Sequence, residues 1–163
     1  MTSAPTNDWS KQLRAHIASA IRDAREKRGM SASALADATE GVITRDTIAN
    51  LESGRKRVID IAELIVLAKA LEVPPVSLIY ARGNAVEQSP GVVTSGVDAT
   101  LWFAGYNPDP YADGDMIDVY RYADARAQYA EYKQDPDEAE RLSARSLLGM
   151  AKRTVRKQGW AVD

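Results

Sequence analysis

The 163-residue sequence contains no cysteine and a single histidine, His16. The first absence excludes a disulfide framework, a thiolate zinc site and a cysteine nucleophile. The second excludes a multi-histidine metal site. No apolar run approaches the ~20 residues that a bilayer-spanning helix needs, so no membrane partner is expected. Met1 to Asp8 has neither the basic nor the apolar block of a secretory leader. These gaps point to a soluble, cytoplasmic protein. No nucleophile–base pair, phosphate loop or metal-ligand cluster stands out, so neither an enzyme nor a cofactor is expected. What is present, 45% hydrophobic and 27% charged residues, is the balance of a folded chain. The length gives room for one domain, or for one small domain with an appendage.

The net charge of −2 gives no hint of a polyanionic partner, but its distribution does. Residues 9–82 carry a net +3, residues 83–140 a net −9 and residues 141–163 a net +5. Such asymmetry suggests regions with different partners. Internal pairing of the acidic middle with the basic end is the alternative.

Residues 1–8 read as a disordered start. A first helix is expected over about Ser10–Arg28, because Leu13, Ile17, Ile21 and Ala24 recur on one face. Gly29 suits its C-cap. Ser31 is placed to cap a short second helix, about Ala32–Thr39, which Thr39-Glu40-Gly41 breaks. Thr44 is placed to cap a third, about Arg45–Ser53, with Ile48 and Leu51 facing inward and Gly54 ending it. Asp60 and Glu63 have the spacing of a capping box for a fourth, with Leu64, Leu67, Ala68 and Leu71 as its core stripe. Val73-Pro74-Pro75 forces a break before a short fifth helix, about Val76–Ala81.

Residues 83–99, rich in Gly, Ser, Val and Thr, read as a linker with room for a short strand at Gly91–Thr94. Leu101-Trp102-Phe103 is an apolar cluster, and Asn107-Pro108-Asp109-Pro110 a turn. A tyrosine-rich helix is expected over about Asp115–Gln134, and a last helix over about Pro136–Gln158. The last helix has an apolar stripe of Ala144, Leu147, Leu148, Ala151 and Val155. Its basic stripe is Arg141, Arg145, Lys152 and Arg156. The fold class is therefore mainly α: a five-helix domain over 9–82, a linker over 83–99, and a smaller helical region over 100–160 for dimerisation or accessory contacts.

Five short helices with a tight second and third pair make a helix-turn-helix arrangement. The residues that specify it are Ile21 to Ser31, then Leu35-Ala36-Asp37, then Thr44 to Lys56, then Leu67 to Val73. The run Ile48-Ala49-Asn50-Leu51-Glu52-Ser53-Gly54-Arg55, preceded by Met30-Ser31 and Leu35-Ala36, is its most specific part. Residues 17–80 thereby resemble the lambda-repressor/Cro type, the xenobiotic-response-element family. The resemblance covers about 40% of the chain and implies binding of double-stranded DNA. Two departures are visible. Ala32 stands where the family usually has a phosphate-bonding Gln, leaving Ser31 or Ser33 to substitute. The connection through Glu40-Gly41 is also about two residues longer than usual.

The third helix is the reader in this scheme, since a helix fits the major groove and its first residues reach base edges. Arg45 suits a forked bond to guanine and Asn50 a paired bond to adenine. Asp46 can accept from a cytosine amine, orient Arg45, or simply stabilise the helix N-terminus. Thr44 and Thr47 can bond phosphate or touch a thymine methyl. Arg55, Lys56 and Arg57 sit where phosphates should pass. Glu52 reads as structural, bonding backbone or a basic neighbour, and His16 as a surface or boundary residue.

In the second half, Gly114-Asp115-Met116 resembles the nucleophile stretch of self-cleaving repressors, but Met116 stands where a Ser is required. The acidic segment 109–118 lacks calcium-loop spacing. The tyrosines suit packing or subunit contact. The first functional reading is a transcriptional repressor of the phage immunity type, acting as a homodimer, with a monomer whose basic last helix adds DNA contacts as the rival. The second is an antitoxin-like or other protein-interaction module using the acidic half.

Overall fold

The computed structural model describes residues 5–83, 85–106 and 115–162, and falls into two compact units, Met1–Phe103 and Ala104–Asp163. The elements run α1 (Pro5–Lys27), α2 (Ala32–Ala38), α3 (Arg45–Glu52), α4 (Ile61–Ala70), α5 (Val76–Ile79), β1 (Val86–Ser89), β2 (Val92–Thr94), α6 (Gly96–Phe103), α7 (Asp115–Tyr132) and α8 (Glu138–Lys157). The class is mainly α with a two-stranded antiparallel sheet. Among the described residues no helix is long and apolar enough to cross a membrane. The Asn107–Pro110 turn and most of the 109–118 acidic segment lie outside the described residues.

The first unit is built around one core. Ile21, Leu35, Ile48, Leu51, Leu67 and Leu71 are fully buried, one or two from each of α1 to α4 and its cap. Ile48 and Leu51 are three residues apart and Leu67 and Leu71 four, which puts each pair on a single helix face. The local caps fall where the sequence places them. Ser31 Oγ accepts the Ala34 N–H at 3.0 Å. Asp60 accepts from Ala62 N at 2.7 Å while Glu63 reaches back to Asp60 N at 3.3 Å.

Helix α1 begins at Pro5, not near Ser10, so the expected disordered start over 1–8 is corrected from Pro5 onward. Asp8 in the first turn suits the positive helix end. The Trp9 indole donates to the Glu87 carbonyl at 3.1 Å, an anchor 78 residues away that no local pattern could reveal.

Residues 83–99, expected as a linker, instead carry the β1–β2 hairpin and the start of α6, and Val86 and Ala99 pack on the first unit's core. The glycines here serve geometry, not flexibility. Gly91 takes φ 78° in the hairpin turn. A β-carbon on Gly96 would lie 2.0 Å from the Ala81 carbonyl oxygen. Tyr80 closes the region: its hydroxyl donates to Gln88 O at 3.1 Å, and its ring meets Phe103 edge-on with centroids 5.9 Å apart.

The second unit is a hairpin of α7 against α8. Asp137 caps α8 by accepting from Ala139 N at 2.8 Å. Tyr120 donates to the Ala104 carbonyl at 2.7 Å and meets the Tyr106 ring edge-on. Ala125, Ala144 and Val155 are its buried hydrophobic residues among those described. No ion pair joins α7 to α8 among the described residues.

Candidate nucleic-acid interface

Helices α2 and α3 pack on each other across the turn through Glu40 and Gly41. Glu40 and Gly41 both adopt left-handed backbone, φ 56° and 79°, which reverses the chain. Buried Thr39 organises the reversal. Its hydroxyl donates to Ala36 O at 2.7 Å and accepts from Ile43 N at 3.1 Å, so Ile43 is buried while Val42 stays exposed. Thr39 carries no motif signature, and sequence reasoning misses this role.

Thr44 then starts α3, its hydroxyl accepting the Thr47 N–H at 3.1 Å and lying 2.9 Å from the Thr47 hydroxyl. Ile48 and Leu51 fix one face in the core, which turns the other outward. Arg45, Asp46 and Asn50 are exposed there, and Thr47 and Ala49 are half-buried. Arg45 Nη1 donates to Asp46 Oδ1 at 3.1 Å, a contact between two exposed side chains. At the start of α2, the Ser31 hydroxyl is used as a cap. Ser33 is exposed and makes no side-chain hydrogen bond among the described residues, while the side chain of Ala32 offers no donor.

The far end of α3 is tied to α1. Arg25 Nε donates to Glu52 Oε1 at 2.7 Å and Arg25 Nη2 to Glu52 Oε2 at 2.9 Å, while Nη1 reaches the Met30 carbonyl at 2.7 Å. One guanidinium thus joins α1, the turn before α2 and the end of α3. Hydrogen bonding to Glu52 raises the Arg25 pKa further above its already high value. Arg22 donates to the Glu52 backbone carbonyl.

The basic triplet after α3 is not uniform. Arg55 and Arg57 are exposed, with Arg55 Nε held at 3.0 Å from Ser53 Oγ. Lys56 is half-buried and its ammonium pairs with the Glu63 carboxylate of the α4 capping box. Charge pattern alone groups the three; the capping box removes Lys56 from the exposed set.

His16 lies on α1 beside a cavity of about 230 Å³ lined by Trp9, Leu13, Ile79, Tyr80 and Val86. Its Nε2 is buried with no hydrogen-bond partner among the described residues, and burial lowers its pKa despite Asp23 nearby. Among the described residues no group of acidic or histidine side chains could hold a metal ion.

Residues 21–78 match the family model described as helix-turn-helix, from the last two turns of α1 through most of α5. No curated protein and no solved structure matched the chain. The match makes this part of the chain a helix-turn-helix domain of the kind found in DNA-binding transcription regulators.

Proposed function

We propose that the chain is a sequence-specific, double-stranded DNA-binding transcriptional repressor that inserts α3 into the major groove. The observation that carries the reading is the outward face of α3. Arg45, Asp46 and Asn50 stand exposed on a short helix whose opposite face is held by the core and by Arg25. Arg45 reads guanine O6 and N7, with Asp46 orienting it, and Asn50 reads adenine N6 and N7. Thr44, Thr47 and Ser33 meet the phosphate backbone. Arg55 and Arg57 supply the sequence-independent attraction.

Dimerisation through residues 100–160 completes the reading, since paired domains on a two-fold site gain the affinity that one domain lacks. Its support is the thin core of the α7–α8 hairpin. Leu147 and Met150 remain 46% and 56% exposed, in a groove with Ala125 and Ala151. A second copy of the hairpin covering that groove would form a four-helix bundle. A composition with twice as many arginines as lysines and abundant alanine suits an immunity repressor of a phage or prophage in a GC-rich host.

Selection of bound sequences from a random duplex pool tests this. Enrichment of one motif with two-fold symmetry supports the reading, and recovery of sequences with no shared motif overturns it. In parallel, the mass in solution should be that of two chains and should fall to one chain in Leu147→Asp.

A further inference from the structure

Helix α8 has two flanks beside its buried face. At 100° per residue, Arg145, Lys152 and Arg156 align within about 40° of arc over roughly 16 Å of helix, with Arg153 next to them. Leu147 and Met150 lie on the other flank. Arg145, Lys152 and Arg153 make no ion pair or side-chain hydrogen bond among the described residues, and Arg156 bonds only to the Val162 carbonyl. Several basic side chains of the first unit, by contrast, are committed: Arg25 and Arg22 to Glu52, Lys56 to Glu63, Arg28 to Glu72.

A second observation falls on the same flank. Gly149 sits among Arg145, Lys152, Arg153 and Arg156, in the interior of a 20-residue helix. A glycine there weakens the helix relative to alanine. Packing within the chain does not demand it: an added β-carbon would meet only Arg153 Nη1, at 3.7 Å, an ordinary contact. A residue without a side chain, framed by cations, lets a phosphodiester chain come close to the helix.

We infer that the Arg145–Arg156 flank of α8 is a second DNA-binding surface, which grips the sugar-phosphate backbone of a duplex without reading its sequence. The inference rests on the reading of α3 as a DNA reader. A tethered second contact then acts at high effective concentration and extends the site. The apolar flank of α8 stays free for the second copy of the hairpin, so the two roles occupy different sides of one helix.

The test uses the full chain, a duplex carrying the selected motif and a scrambled duplex of equal length. Replacing Arg145, Lys152, Arg153 and Arg156 together by Gln should weaken binding to both duplexes by the same factor. The slope of log affinity against log salt should fall by about 0.9 for each phosphate the variant no longer neutralises. Mass in solution and preference for the motif should not change. Gly149→Ala should raise the melting temperature and yet weaken binding to both duplexes. The variant with Lys at the three arginine positions should bind nearly as the parent does, which separates lost charge from lost folding. An unchanged salt slope in the Gln variant, with α8 still helical by circular dichroism, overturns the inference. So does Gly149→Ala with undiminished affinity. Arg45→Ala in the same titrations separates the two readings: loss of motif preference belongs to α3, and loss of affinity on both duplexes belongs to α8.

Discussion

Arg25 and Glu52, 27 residues apart, form a two-pronged ion pair that fastens the end of α3 to α1. Both side chains are largely buried, at 12% and 9% exposure. Removing one partner of such a pair leaves the other charge desolvated and uncompensated, which costs about 3 kcal/mol. Glu52→Gln keeps the shape and removes the charge, so urea unfolding should show a loss of that order. A loss below about 0.5 kcal/mol, the size of a neutral surface change, would mean the pair does not hold α3.

Lys56 is the basic residue whose substitution should matter least for DNA. Its ammonium is already paired with Glu63. Arg55→Ala and Arg57→Ala should each reduce the slope of log affinity against log salt by about 0.9, and Lys56→Ala should leave it nearly unchanged. A reduction for Lys56→Ala equal to the others would show that the Glu63 pair opens on the duplex.

His16 gives the fold a pH dependence with a definite sign. Burial lowers its pKa in the folded chain below the usual 6.5. The neutral form is therefore favoured on folding, and as pH falls through 6.5 the unfolded chain takes up the proton first. Stability is whole above that pH and declines below it, until the folded chain is protonated as well. The stability difference between the parent and His16→Gln should change with pH in this window and level off above it. A constant difference through the window would contradict the assignment.

Glu40 occupies left-handed backbone in the turn before α3, at φ 56°. A side chain there costs about 1 kcal/mol, part of which glycine regains and part of which it returns as unfolded-state entropy. Glu40→Gly should therefore be neutral to stabilising in thermal unfolding. Glu72, at φ 52°, pairs with Arg28 at 2.8 Å, so Glu72→Gly should benefit less.

The features legible in the sequence are those with short-range causes. Ser31, Thr44 and Asp60 announce the starts of α2, α3 and α4 because a cap bonds two or three residues ahead. The Ile48 and Leu51 spacing sets the outward face of α3, and with it Arg45 and Asn50. The features that are not legible depend on distant partners. Trp9 bonds Glu87 and Lys56 bonds Glu63; Glu52 reads as structural with a basic neighbour, but that this neighbour is Arg25, 27 residues away, does not show. Gly91 and Gly96 read as linker residues because a close approach and a flexible chain use the same amino acid. Thr39 reads as part of a break, since the groups its hydroxyl satisfies, the Ala36 carbonyl and the Ile43 N–H, come together only once the chain has turned.

The central claim, that α3 reads bases through Arg45, is tested most directly by the affinity of Arg45→Ala for the selected duplex and for duplexes changed one base pair at a time. A bidentate bond to guanine is worth about 1–3 kcal/mol of discrimination. The account predicts that the variant loses about that much on the selected duplex, little on the duplex already changed at one particular base pair, and its preference at that base pair alone. Equal losses on every duplex would make Arg45 a phosphate-binding residue and contradict the account.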